Sequence, residues 1–198
     1  MRHFFGIPDD EFIRGDVPMT KCEIRKAVMN EARIDEDSVV LDVGAGTGSI
    51  SIEAALGAPK GHVYAIERFD KGIELIHQNM EKFGVSNMTV IKSKAPEGME
   101  ELPALDAVII GGSAGGMGVI VDEAQRLLKV GGRLVVTAVT METGYTILKE
   151  LKGRPFSYEG YQMAISRYRK AGPYHLLDPL SPIFIVAATK LDEGDNNG

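Results

Sequence analysis

The segment VLDVGAGTGSISIEAA, residues 40–55, constrains the fold more than any other part of the chain. A short β-branched run stops at a glycine, and a helical pattern follows at once. Gly44, Gly46 and Gly48 alternate with other residues in the turn between them. Glycine suits such a turn because it adopts positive φ and lets a ligand approach the backbone closely. A strand, a glycine turn and a helix in this order predict the first unit of an α/β sheet that binds a nucleotide-like cofactor.

Strand-like and helix-like segments alternate from about residue 38 onward, which favours a mostly parallel sheet with helices on its faces. A helix is predicted from Asp70, as its N-cap, to Gly84, because apolar residues recur there at spacings of three and four. Two more helices are predicted at 119–128 and 143–151. The predicted strands, all short apolar runs, are 38–43, 62–67, 88–93, 105–110 and 133–139.

The C-terminal part departs from this alternation. Two further strands are predicted at 156–167 and 182–189, separated by a loop that contains three prolines. Strands joined by a loop rather than by a crossover helix can be antiparallel. The sequence therefore predicts an α/β, Rossmann-like, doubly wound sheet of seven strands, of which the last is antiparallel.

Three parts are predicted along the chain. Residues 1–33 form an N-terminal extension with a helix from Lys21 to about Ala32, residues 34–190 form the main domain, and residues 191–198 form a polar, flexible tail. No apolar run reaches the roughly 18 residues of a membrane span, and the first residues lack the apolar core of a signal peptide. A cytoplasmic protein without membrane contact is the expectation.

Charge and cysteine content exclude several classes of function. The net charge of −6 opposes a protein that binds the phosphate backbone of nucleic acids, although SRYRK at 166–170 is a local basic patch. The single cysteine, Cys22, excludes an intrachain disulfide and a thiolate metal cluster, and the four histidines lie far apart. No metal site is predicted.

The glycine turn favours S-adenosylmethionine over a dinucleotide. Ser49 stands where the dinucleotide fingerprint has its third glycine, which makes an NAD-dependent dehydrogenase the weakest option. Glu67 closes the second predicted strand, 19 residues after Gly48, where a carboxylate can accept hydrogen bonds from both ribose hydroxyls. The alternative is that the glycines only permit a tight turn and that Glu67 is a solvated strand end.

Together, VLDVGAGTG, Glu67 and KVGGRLVV at 129–136 resemble the class I S-adenosylmethionine-dependent methyltransferases. The resemblance implies that the turn passes beneath the methionine part of the cofactor, that the glutamate holds the ribose, and that Lys94 and Ala95 border the adenine. It also places Asp42 near the amino group of the cofactor, while a role in capping the turn is equally compatible with the sequence.

Four further motifs stand out: GIPDDEFIR at 6–14, PMTK at 18–21, VIIGGSAGG at 108–116 and SRYRKAGPYHLLDPLSPIFIV at 166–186. With the glycine turn, they are similar to one family, the cobalt-precorrin-6B or precorrin-6B methyltransferases of cobalamin biosynthesis. The resemblance implies methylation of carbon 15 of a tetrapyrrole, loss of carbon dioxide from the acetate on ring C, and a homotetramer. With Thr20 added from the family, the implied cofactor-binding residues are Thr20, Asp42, Gly44, Ala45, Gly46, Thr47, Gly48, Glu67, Lys94 and Ala95.

The loop after the fourth strand is predicted to be the acceptor side of the site. Enzymes that methylate exocyclic amines often carry an Asn/Asp-Pro-Pro-aromatic stretch there, whereas this chain has only small residues at 111–116. Arginines suit a substrate rich in carboxylates. The predicted substrate-binding residues are Gly111, Gly112, Ser113, Arg14, Arg167 and Arg169. Lys21 and Lys170 are further candidate cations. Tyr168 and Tyr174 either stack on the macrocycle or simply pack against the protein. Ser113 and His175 are the candidates for a catalytic residue, although any single one of these side chains fits an ordinary structural role as well.

Two other functions remain open at this point. The first is an RNA (transfer RNA adenine) or protein methyltransferase with the same cofactor domain. The second is a non-catalytic subunit that binds the cofactor. Phe4, Phe5 and Ile7 are predicted to be exposed apolar residues of a subunit interface.

Overall fold

The computed structural model describes residues 5–192. Within them a mixed sheet of seven strands has the order β3-β2-β1-β4-β5-β9-β6, and β7 and β8 form a separate hairpin. The strands are β1 (Val39–Val43), β2 (His62–Glu67), β3 (Met88–Lys92), β4 (Leu105–Ile110), β5 (Leu128–Ala138), β6 (Phe156–Met163), β7 (Ser166–Ala171), β8 (Tyr174–Pro179) and β9 (Ile183–Lys190). The helices are α1 (Cys22–Ala32), α2 (Ser49–Gly57), α3 (Asp70–Phe83), α4 (Met117–Leu127) and α5 (Met141–Leu151), with a 3-10 turn at Asp9–Glu11.

The sheet confirms the predicted fold class. Strands β1 to β5 pair in parallel, and β9 is antiparallel to both of its neighbours, β5 and β6. The strand order reverses between β1 and β4, so the loops after these two strands diverge and leave a crevice at their carboxyl ends. Ligands of open α/β sheets bind at such a point.

Several local predictions are wrong. The stretch expected to be a loop before β9 contains the hairpin of β7 and β8, which tolerates its prolines because Pro173 lies in the turn and Pro179 at a strand end, where no ladder donor is required. Asp70 is the first residue of α3 rather than its cap, which is Phe69. The helix predicted at 119–128 ends at Leu127, and β5 begins at Leu128, five residues earlier than predicted.

The sheet is covered on both faces, and the N-terminal extension contributes to one of the two cores. Phe12 and the α1 residues Ile24, Val28 and Met29 pack with β1, β2 and β4 in one cluster, while α4 and α5 cover the other face. Phe5 and Ile7 are half-buried against the first cluster, so the prediction that they are exposed is wrong, and Phe4 lies outside the described residues.

The extension is also joined to the domain by a buried ion-pair network. The Arg25 guanidinium has no exposed surface and lies 2.7 Å from Glu53 Oε1 and 2.9 Å from Asp9 Oδ1. The predicted flexible tail lies outside the described residues from 193 onward, and the Leu191 amide donates to the Pro155 carbonyl at 2.8 Å. Between residues 5 and 192, no helix is long and apolar enough to cross a membrane.

Candidate functional site

A cleft of about 1280 Å³ opens at the carboxyl ends of the parallel strands. Its walls are the loops after β1, β2, β3, β4 and β5, and part of the N-terminal extension closes one side. We call residues 12–21 the strap, because Asp16 to Lys21 run along the cleft before α1 begins. The volume exceeds the roughly 300–1,000 Å³ of a typical small-molecule site, so the cleft has room for a cofactor and part of a second molecule.

The two glycine-rich loops pack directly against each other at the floor of this cleft. Gly44 has φ +76°, and a Cβ there would lie 2.9 Å from the Gly112 carbonyl oxygen and 3.0 Å from its nitrogen. The Gly111 amide donates to the Val43 carbonyl at 3.0 Å. Glycine is therefore required at Gly44 both by its positive φ and by the approach of a second backbone.

Glu67 is buried at the end of β2 and supports the glycine turn. Its Oε2 accepts a hydrogen bond from the Gly46 amide at 2.9 Å, and its Oε1 accepts from the Arg68 and Phe69 amides at 2.8 and 2.9 Å. Glu67 is only 7% exposed, so its interpretation as a solvated strand end is wrong. A carboxylate offers about four lone-pair positions, so three amide donors leave it some capacity to accept from a ligand.

Two residues that line the cleft each have a buried polar atom without a partner. The Ser51 hydroxyl donates to Asp42 Oδ2 at 2.5 Å, whereas Asp42 Oδ1 and Thr47 Oγ1 have no hydrogen-bond partner among the described residues. A buried polar atom without a partner costs about 1–3 kcal/mol, so both atoms fit a site completed by a polar ligand.

Burial, together with the nearby Glu67 charge, raises the pKa of Asp42 from 3.8 to about 6. The folded chain therefore holds this proton more tightly than the unfolded chain does. The free energy of unfolding falls as the pH rises from about 4 to about 6, and the penalty, of order 2–3 kcal/mol, is complete above that range. A cationic group bound beside Asp42 would offset this penalty.

The structure brings most of the predicted residues together around the cleft. Thr20, Lys94 and Ala95 line it, as do Gly111, Gly112 and Ser113 of the loop after β4. Within the glycine turn Asp42 and residues 44–47 also line it, but Gly48 does not: a Cβ on Gly48 would lie 3.0 Å from the Ile76 side chain, so this glycine allows α3 to pack closely.

The predicted cations of the hairpin lie elsewhere. Arg167 forms ion pairs with Glu23 and Asp9, which raise its pKa and join the hairpin to the N-terminal extension. Arg169 and His175 are exposed on β7 and β8, and neither lines the cleft. The predicted roles of Arg167, Arg169 and His175 in substrate binding or catalysis remain predictions, because none of the three lines the cleft of its own chain.

Arg14 lies outside the main cleft as well. It borders a smaller recess of about 570 Å³ on the strap, and Lys21 borders both cavities. These two side chains can therefore reach the periphery of a large ligand bound in the cleft, rather than its centre.

Sequence reasoning missed part of the lining of the cleft. Thr137 and Val139, at the end of β5, line the cleft together with Ile165 and Leu180, which flank the hairpin. Thr137 and Val139 could have been found from their position at the carboxyl end of a predicted parallel strand, where ligands bind. Ile165 and Leu180 had no such signal in the sequence. Within residues 5–192, no group of three or more His, Cys, Asp or Glu side chains could hold a metal ion.

Comparisons with known proteins point to one family. A model of the precorrin methyltransferase domain matches residues 11–190. A protein of Pyrobaculum aerophilum named probable cobalt-precorrin-6B C(15)-methyltransferase (decarboxylating) is 37% identical over 186 residues, covering 92% of this chain and 95% of the relative. Precorrin-6y C5,15-methyltransferase from Geobacter metallireducens has a TM-score of 0.90 at 34% identity, covering 94% of this chain and 98% of that structure. Precorrin 8W decarboxylase from Methanobacterium thermoautotrophicum has a TM-score of 0.88 at 32% identity, covering 93% of this chain and 100% of that structure.

Proposed function

This chain belongs to the precorrin methyltransferase family, and we propose that it methylates carbon 15 of cobalt-precorrin-6B with S-adenosylmethionine and removes the ring C acetate carboxyl as carbon dioxide, giving cobalt-precorrin-7. The observation that carries this proposal is the division of the cleft. One half presents buried acidic and hydroxyl groups, and the other half has a floor without side chains at Gly111 and Gly112 and a mainly apolar wall.

The buried half fits S-adenosylmethionine. Asp42 Oδ1 and the Thr47 hydroxyl lack a hydrogen-bond partner among the described residues, and an ammonium group satisfies a buried carboxylate of this kind. Glu67 would hold the ribose, Lys94 and Ala95 would border the adenine, and Thr20 would contact the cofactor from the strap. When bound, the cofactor supplies an electrophilic methyl group on a sulfonium.

The open half fits a large, flat acceptor. Gly111 and Gly112 leave the floor free of side chains, and Val139, Ile165 and Leu180 offer an apolar wall for a macrocycle. Lys21 and Arg14 supply positive charge at the edge, where carboxylates of such a substrate would lie. Alignment of the two reactants is the main task of the protein, because the macrocycle itself provides both the nucleophilic carbon and the electron sink for decarboxylation.

Of the two candidates for a catalytic residue, we retain Ser113. It lines the cleft beside the two glycines and has the one side chain of residues 111–116 that forms ordinary hydrogen bonds. Its hydroxyl can orient a carboxylate or a carbonyl of the acceptor, which is a positioning task and requires no shifted pKa.

We also propose a homotetramer. The β7–β8 hairpin stands apart from the main sheet and exposes Tyr168, Tyr174, Leu176 and Leu177, with Tyr168 at 78% exposure. Tyr168 and its cross-strand partner Leu177 lie on one face of the hairpin, and Tyr174 and Leu176 lie on the other. Contact of both faces with further copies of the chain would account for these exposed apolar side chains.

The direct test is to incubate the protein with methyl-labelled S-adenosylmethionine and cobalt-precorrin-6B, and to measure label in the tetrapyrrole together with release of carbon dioxide. We expect both. Label in bulk transfer RNA or in protein, with none in the tetrapyrrole, would overturn the proposal in favour of another methyltransferase. Binding of S-adenosylmethionine without transfer to any acceptor would point instead to a non-catalytic subunit.

A further inference from the structure

The strap lies along one face of α3 before it reaches the cleft. The ring of Phe12 is 4.9 Å from the ring of Phe83, and a Cβ on Gly15 would lie 3.7 Å from Leu75 Cδ1. Leu75, Asn79 and Phe83 are four residues apart, so they form a single stripe on the helix. The strap therefore follows this stripe toward the N-terminal end of α3.

Asn79, in the middle of the stripe, is fully buried and bonds to both the strap and the glycine turn. Its Oδ1 accepts a hydrogen bond from the Ile13 amide at 2.8 Å, and its Nδ2 donates to the Ile13 carbonyl at 3.1 Å. The same Nδ2 donates to the Thr47 carbonyl, in the glycine turn, at 3.0 Å. One amide side chain thus ties the strap to the turn.

The other end of the strap is fixed independently. The buried Arg25 guanidinium donates to the Thr20 carbonyl and is itself held by Glu53 and Asp9. Between the two anchors the strap covers the turn, since a Cβ on Gly46 would lie 3.5 Å from the Pro18 carbonyl oxygen and 3.7 Å from Val17 Cγ1. The position of the strap over Gly46 therefore depends on both anchors.

We propose that Asn79 is a positioning residue that fixes the strap against the glycine turn and thereby sets the affinity of the cleft for S-adenosylmethionine. The identity of the ligand rests on the proposed function. Asn79 does not line the cleft, so it acts through Thr47 and through the strap residues that do. Without its amide, three backbone groups of Ile13 and Thr47 lose their partner, and the strap and the turn can separate.

The test compares Asn79→Ala with Asn87→Ala. The Asn87 side chain also donates to two backbone carbonyls, those of Ala55 and Ala58, at 3.0 and 2.8 Å, but it lies away from the cleft. We expect both variants to lose stability. Only Asn79→Ala should weaken S-adenosylmethionine binding, by about tenfold in calorimetry, because its lost hydrogen bonds hold the site together.

A second readout needs no ligand. Hydrogen exchange of the Ile13 amide and of the other strap amides should become faster in Asn79→Ala and stay unchanged in Asn87→Ala. Asn79→Leu keeps about the same side-chain volume but loses both the donors and the acceptor, so it should give the same two effects and carries the test if the alanine variant does not fold.

The outcomes separate the two proposals. If the unmodified chain fails to bind S-adenosylmethionine, the proposed cofactor is wrong. The hydrogen-exchange comparison then decides by itself whether Asn79 anchors the strap: unchanged exchange of the strap amides in the Asn79 variants would overturn that role. If it binds and the Asn79 variants bind equally well, or if Asn87→Ala weakens binding as much, then the positioning role of Asn79 is overturned.

Discussion

Replacing Gly44 with alanine tests the packing of the two glycine loops. Gly44 has φ +76°, and the added Cβ would lie 2.9–3.1 Å from the oxygen, nitrogen and Cα of Gly112. A left-handed conformation costs a non-glycine residue roughly 1–2 kcal/mol. Overlap with main-chain atoms adds a cost comparable to that of overpacking a core, about 1–3 kcal/mol.

Gly131→Ala is the matched control for this change. Gly131 has φ +80°, and a Cβ there meets no atom within 4 Å. Both substitutions carry the same left-handed strain and the same loss of freedom in the unfolded chain, so these contributions cancel in the difference between the variants. Gly44→Ala should therefore be about 1–3 kcal/mol less stable than Gly131→Ala in urea denaturation.

The two variants should also differ in activity. The clash at Gly44 can be relieved only by moving the turn or the loop at 111–112, and both line the cleft, so methyl transfer should fall by at least about tenfold, as expected for misaligned reactants. Gly131→Ala should keep its activity. Equal stability and equal activity of the two variants would show that the loops do not pack as the structure describes.

Three further changes test other parts of the structure. Gly72→Ala places a Cβ 2.8 Å from Glu67 Cγ, so we expect it to displace the glutamate and weaken S-adenosylmethionine binding in calorimetry; unchanged affinity would contradict this contact. Asp42→Asn removes the carboxyl with the raised pKa, so at pH 8 the free energy of unfolding should rise by about 2 kcal/mol. If the cofactor places a cationic group beside Asp42, the unmodified chain should gain cofactor affinity as the pH rises through about 6, and the variant should not. An equally stable Asp42→Asn variant would count against the buried charge. Tyr168→Asp should lower the mass measured by light scattering, whereas Tyr145→Asp, at a residue 70% exposed on α5, should not; a tetramer that tolerates Tyr168→Asp would exclude the hairpin as its interface.

The central strands could be predicted because their sequence pattern reflects local burial. Strands β2 and β4 have the predicted bounds, since a parallel strand covered on both faces needs a mostly apolar run. The hairpin of β7 and β8 escaped prediction for the opposite reason. Most of its side chains are exposed, so no alternation of buried and exposed residues marked it as a pair of strands.

The same distinction holds at the site. Gly44 and Glu67 belong to a contiguous strand-turn pattern and could be placed from spacing alone. The role of Gly72 depends on its contact with Glu67, and the role of Asn79 depends on its hydrogen bonds with Ile13, 66 positions earlier in the chain. A single sequence does not show which residues form such pairs. The ion pairs of Arg167 with Glu23 and Asp9 could not be predicted for the same reason, and its role toward a substrate stays a prediction.

The contact between the two glycine loops also bears on the chemistry. Val43 accepts from the Gly111 amide, and Gly44 touches the Gly112 backbone, so the loop that would carry the methyl donor and the loop that would face the acceptor share one rigid main-chain contact. A contact between side chains can shift when a side chain changes rotamer. This contact is made by main-chain atoms, which have no rotamers, so the distance between the two loops is more closely fixed. Transfer of a methyl group to a carbon that is already nucleophilic gains chiefly from a fixed distance and direction between the reactants. Gly44 therefore serves alignment, whereas a Cβ on Gly112 would meet no atom within 4 Å, so glycine there keeps the floor of the cleft open. The two glycine-rich loops thus have different tasks, and neither task requires a phosphate.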